Sequence, residues 1–141
     1  SLPGWVHPGS LTFLTICTRP RGSNALCHPD RASRIWESIV FNRERGVWWP
    51  HLVVLMPDHL HGIFGFQEDP GMAKAVNDWK HYTARHFGVC WQRDFFDHRL
   101  RADESVREKA AYIHENPVRA GLVDSAKRWP YAWRSPGLLT T

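Results

Sequence analysis

Met56-Pro57-Asp58-His59-Leu60-His61-Gly62-Ile63 lies between the apolar runs Leu52-Val53-Val54-Leu55 and Phe64-Gly65-Phe66. Pro57-Asp58 reads as a turn, so Val47 to Met56 and His59 to Phe66 form two antiparallel strands on either side of it. In the second strand successive side chains alternate faces, which sends His59 and His61 to one side and Leu60 to the other. Two imidazoles on one face can share a metal ion. With nine histidines in the chain, the pair alone is equally compatible with two ordinary polar residues at a strand start.

Working outward, Pro3, Gly4, Pro8 and Gly9 predict an irregular arm over residues 1–9, and the β-branched and aromatic run Leu11 to Thr18 predicts the first strand. Ala32, Ile35, Trp36, Ile39 and Val40 recur with helical spacing after Pro29-Asp30, and Gly46 is placed to end that helix. A second helix from Gly71 carries Met72, Ala75, Val76, Trp79 and Tyr82 on one side, with Lys74, Lys80, His81 and Arg85 elsewhere and Gly88 as its C-terminal cap. Phe95 to Leu100 is a short fourth strand. The order β-α-β-β-α-β predicts an α+β, ferredoxin-like antiparallel sheet. A third helix follows, with Ser105 and Glu108 at capping-box spacing, and runs to about Asn116 because Pro117 disfavours helical conformation before it. The tail from about 119 to 141, with Trp129, Tyr131 and Trp133, reads as an irregular aromatic wrap.

A chain of 141 residues suits a single domain over 1–141. No stretch approaches the ~20 apolar residues of a membrane span, and Ser1-Leu2-Pro3-Gly4 does not resemble a secretory leader, so the expected setting is the cytoplasm, without membrane association. Cys17, Cys27 and Cys90 form no CxxC pair and are expected to be reduced and structural. A net charge of +4 and a pI near 9.3 favour a polyanionic partner. The eight tryptophans fit either a core or a base-stacking surface.

On the third helix Val106, Ala110 and Ile113 form the apolar stripe. At ~100° per residue Tyr112 and Asn116 fall together at its border, so a phenol and a carboxamide one turn apart can point into one cleft. Three stretches now stand in order: Met56 to Gly62, Trp91-Gln92-Arg93-Asp94-Phe95-Phe96-Asp97-His98, and Tyr112-Ile113-His114-Glu115-Asn116-Pro117-Val118-Arg119-Ala120-Gly121-Leu122. Together they resemble the transposases that carry an HUH motif and a single catalytic tyrosine, and most closely the branch associated with repetitive extragenic palindromes (REP). The resemblance runs from Leu11 to the aromatic tail.

The resemblance implies that Tyr112 is the nucleophile and that His59, His61 and Asn116 hold a divalent metal, Mg²⁺ or Mn²⁺. Leu60 fits the hydrophobic middle of HUH. It further implies cleavage of single-stranded DNA beside a hairpin or palindrome, through a 5′-phosphotyrosine with release of a 3′-OH. Glu115 and His114 are alternatives for metal or proton duties, and His98 is expected to support the site or fold. Arg85, Arg93, Arg99, Arg101, Arg107 and Arg119 are candidate phosphate contacts. A domesticated palindrome-binding protein without transposition is the competing reading. Monomer or homodimer, and whether Tyr112 acts within its own subunit, stay open.

Overall fold

The computed structural model describes residues 3–6, 10–101 and 105–135. Its elements in chain order are β1 Leu11–Cys17, α1 Pro29–Glu44, β2 Trp48–Met56, β3 His59–Phe66, α2 Met72–Phe87, β4 Phe96–Arg99, α3 Val106–His114, α4 Asn116–Arg119 and β5 Ala132–Arg134. The five strands form one antiparallel sheet in the order β4-β1-β3-β2-β5. The first four reproduce the expected ferredoxin-like arrangement.

The two faces of the sheet bury separate cores. On one, Leu14, Ile16, Val53, Leu55, Leu60 and Phe64 pack against Ala32, Ile35 and Ile39 of α1 and Ala75, Val76 and Trp79 of α2. On the other, Leu11, Leu52, Val54, Met56 and Ile63 pack against Val106, Ala110 and Ile113 of α3. Strict alternation along β2 would put Trp48 and Val53 on opposite faces. A bulge between Pro50 and Leu52 adds one residue, His51, and resets the phase, so that Trp48, Val53 and Leu55 share one face while Trp49, Leu52, Val54 and Met56 share the other.

Three expectations are corrected. The tail is not wholly irregular: Ala132–Arg134 adds a fifth strand along β2. It is held by the Trp129 Nε1–H donating to the Leu55 carbonyl at 2.9 Å and by Trp133 stacking on Trp36 at 5.1 Å. Three residues are too few to show a period. On α2, Tyr82 is 48% exposed, while Lys80 and Thr83 are buried. Lys80 tolerates this because its Nζ donates to the carbonyls of Gln92 and Arg93 at 2.8 and 2.9 Å. The third helix ends at His114, one turn residue intervenes, and α4 restarts with Pro117 in its first turn, where a missing N–H costs nothing. Of the predicted N-terminal arm over residues 1–9, only 3–6 are described, and Val6 there is buried.

Gly62 has a packing reason to be glycine. A Cβ at this position would lie 2.5 Å from the Phe64 ring and 3.0 Å from the Leu52 carbonyl oxygen. Phe64 is 1% exposed and has little room to withdraw. Gly62→Ala should destabilise the protein by about 1–3 kcal/mol through overpacking. A urea midpoint unchanged from the wild type would show that the core absorbs the methyl.

Candidate active site

His59 and His61 sit at the start of β3, on the face covered by α3. Their Nε2 atoms converge to 3.1 Å, with the rings edge to face at 4.5 Å between centroids. Each Nδ1 has its own partner. His59 Nδ1 lies 2.8 Å from Asp58 Oδ1, and His61 Nδ1 lies 2.9 Å from Thr15 Oγ1, the residue opposite it in the register of β1 and β3. An ionised carboxylate can only accept, so His59 carries its proton on Nδ1 and turns the Nε2 lone pair inward. The Thr15 hydroxyl can donate or accept, and in the tautomer where His61 Nδ1 donates to it the second Nε2 lone pair also faces inward. Two lone pairs facing each other suit a cation between them, and imidazoles that bind metal commonly donate their other N–H to such outer partners.

Asp58 does more than orient His59. Arg21 Nε donates to its Oδ2 at 2.9 Å, and the Gly22 backbone N–H donates to the same oxygen at 2.8 Å. Burial pushes the Asp58 carboxyl up, but the hydrogen bonds from Arg21, His59 and Gly22 outweigh it and hold the group well below the usual carboxylate range. The Asp58 carbonyl accepts from both the backbone N–H and the hydroxyl of Thr18. Neither Asp58 nor Thr15 was among the expected site residues. Asp58 adjoins His59 in the quoted stretch, whereas Thr15 has no local signal and is delivered by strand pairing alone.

Tyr112 projects from α3 and is 59% exposed, while its neighbours Val106, Ala110 and Ile113 are buried against the histidine face. Asn116 opens α4 and is half-buried. The Arg119 guanidinium donates to the Asn116 Oδ1 and to the Tyr112 carbonyl, and it stacks over the Tyr112 ring at 3.8 Å from the centroid. Among the described residues neither Tyr112 nor Asn116 hydrogen-bonds to His59 or His61. The two halves are coupled electrostatically, since the charge of Arg119 reaches His61. A set of two imidazoles and a carboxamide fits a hard or borderline divalent ion with open positions. Among the described residues no cluster of three His, Cys, Asp or Glu side chains offers a competing centre.

The remaining candidates are dispersed. His114 is half-buried, and burial together with the charge of Arg134 lowers its pKa. Glu115 is exposed at the junction of α3 and α4. His98 lies on β4 opposite Phe13 of β1. Arg85, Arg99, Arg101 and Arg107 are exposed on α2, on β4, just beyond β4 and on α3. Arg93 lines a groove of about 490 Å³ with Arg19, Lys80 and His81. That groove lies just past the end of β1, where Thr18 binds Asp58 and the Arg19 N–H donates to Cys90. A larger cavity of about 810 Å³ sits between α1 and α2 and contains none of the candidate residues.

Burial, with the charges of His59, Arg119 and Arg21, pushes the His61 pKa down from 6.5 to about 4. The folded protein therefore holds His61 neutral at pH 7, the form that binds metal. Below pH 6.5 the unfolded chain takes up a proton that the folded chain resists until about pH 4. Stability from this group is fully present above pH 6.5, declines as pH falls through that window, and amounts to at most about 3 kcal/mol. In chelator-containing buffer, urea unfolding free energies of His61→Asn should fall less steeply than wild type between pH 6.5 and 4. Asp58, with its depressed pKa, contributes its loss only at lower pH. Parallel wild-type and His61→Asn curves would refute the assignment.

No family model matches the chain. A curated relative from Haemophilus influenzae, named as a REP-associated tyrosine transposase, is 43% identical over a 143-residue alignment that covers 88% of this chain and 79% of the relative. A solved structure of a REP-associated tyrosine transposase bound to a REP hairpin superposes with a TM-score of 0.76, covering 100% of this chain and 93% of that one at 21% identity. A transposase structure from Deinococcus radiodurans matches at a TM-score of 0.50 and 18% identity, over 82% of this chain and 95% of that one. At these identities the two structures speak for the fold. The level and extent of identity to the Haemophilus protein, on a chain with this fold and these motifs, show that the chain belongs to the REP-associated tyrosine transposases.

Proposed function

We propose that the chain is a metal-dependent endonuclease and strand transferase for single-stranded DNA at a hairpin or palindrome. Tyr112 is the nucleophile, and His59, His61 and Asn116 hold Mg²⁺ or Mn²⁺. The observation that carries this reading is the convergence of two imidazole Nε2 atoms, 3.1 Å apart, on the sheet face covered by the tyrosine helix. A metal held by these residues would supply charge to offset the scissile phosphate. All three ligands are neutral, so affinity is modest until a phosphate completes the shell.

The rest of the chemistry belongs to the chain's own groups. Asp58 and Thr15 fix the imidazole orientations, and α3 carries the phenol to the phosphate. Tyr112 Oη attacks phosphorus as the phenol loses its proton, and an Oη–P bond forms. The P–O3′ bond breaks and its electron pair stays on the 3′ oxygen, which takes up a proton and leaves as a free 3′-OH. One phosphodiester replaces another, so the 5′-phosphotyrosine needs no external energy source, and attack by a 3′-OH reverses the step. The REP hairpin bound by the structural relative supports a hairpin substrate, and the +4 charge suits a polyanion.

Labelled single-stranded hairpin DNA incubated with the protein and Mn²⁺ should give a band that survives denaturant. The band should vanish with chelator and in Tyr112→Phe, which removes only the hydroxyl, while hairpin affinity stays within about twofold. Loss of the band in His59→Ala and His61→Ala should accompany it. Tight hairpin binding by every variant, with no adduct or cut strand under any metal, would favour the domesticated binding protein. An adduct persisting in Tyr112→Phe would mean another nucleophile.

A further inference from the structure

We propose that Arg119 is a positioning residue that holds the nucleophile and the carboxamide ligand as one preassembled unit. The inference rests on the reading of Tyr112 and Asn116 given above and reassigns Arg119 from a phosphate contact to an internal partner. Tyr112 is 59% exposed, and among the described residues no aromatic ring packs against it. An exposed phenol without a wall samples several rotamers, each departure from the reactive geometry reducing the rate. The Arg119 guanidinium supplies the wall, lying 3.8 Å from the ring centroid.

The same group settles the direction of Asn116. Arginine has donors and no acceptors, so it selects the carboxamide oxygen and leaves the NH₂ pointing away. That oxygen is the atom a divalent metal would use, and a carbonyl oxygen has a second lone pair beside the one that accepts from Arg119. The contact to the Tyr112 carbonyl closes the arrangement across the break at Glu115, tying the end of α3 to the end of α4. Pro117, buried in the first turn of α4, limits how far that turn can move. Both contacts come from the one Nη2, so a lysine would retain the charge and a nitrogen donor but lose the planar stack on the ring, and Arg119→Lys is not a conservative change here.

The test uses the full chain with 3-fluorotyrosine at its three tyrosines, the Tyr112 fluorine resonance being identified by its absence in Tyr112→Phe. In Arg119→Met and Arg119→Lys the Tyr112 resonance should shift while those of Tyr82 and Tyr131 stay in place. Adduct formation at saturating hairpin DNA should slow about tenfold to a hundredfold in both variants, with hairpin affinity within about twofold of wild type. An unmoved Tyr112 resonance overturns the proposal. So does a full rate at saturating DNA combined with weaker binding and a salt slope reduced by about one, the mark of a phosphate contact. A wild-type protein that makes no adduct, yet shows the resonance shift on replacing Arg119, would remove the nuclease reading and retain the positioning one. An adduct in wild type with an unmoved resonance would do the reverse.

Discussion

The antiparallel pairing of β1, β3 and β2 is the constraint on which the rest of the structure depends. β3 is the middle strand of five, so both of its faces are spoken for: Leu60 and Phe64 belong to the core under α1 and α2, and Ile63 to the core under α3. A slip of one residue would exchange the faces and drive His59 and His61 into the apolar layer beneath two helices. The hydrophobic pattern that builds the core therefore also decides where the imidazoles emerge. The same register sets Thr15 opposite His61, so a hydroxyl from a distant segment becomes the partner of one ligand.

Asp58 converts this backbone geometry into a held site. Its side chain gathers Arg21, the Gly22 amide and His59, while its carbonyl accepts from Thr18. The turn between β2 and β3 is thereby fastened to the segment leaving β1. Exposed ion pairs contribute little by themselves, but this carboxylate is largely shielded, and its negative charge keeps the His59 proton on Nδ1. The electrostatics and the fold meet in one group, and they favour the same arrangement of the ring.

The helical half of the site is organised by different physics. In a continuous helix Tyr112, Asn116 and residue 119 would share one stripe, with residue 119 two turns, about 10.5 Å, along the axis from Tyr112. The interruption at Glu115, with Pro117 following, separates α3 from α4 and permits Arg119 to lie over Tyr112. What looks like a proline-terminated helix is a two-part element in which a local break creates a long-range-style contact between near neighbours. Among the described residues no helix is long and apolar enough to cross a membrane.

Much of this was legible in the residues alone, where the length of a segment exceeds its period by enough for the period to be read. Strand β3, helices α1 and α2 and the inward stripe Val106, Ala110 and Ile113 follow from alternation and helical spacing, and the shared face of His59 and His61 follows from the same parity. The three ordered motifs pointed to the family. Other features have no local signature. The bulge at His51 shows only when two cores must be filled, the three-residue β5 only when β2 offers an open edge, and the burial of Lys80 only when two carbonyls arrive to accept its protons. Asp58, Thr15 and Arg119 acquire their parts in the site through contacts that depend on register and on a helix break, because hydrogen bonds and ring stacking are decided by distances that only the folded chain sets.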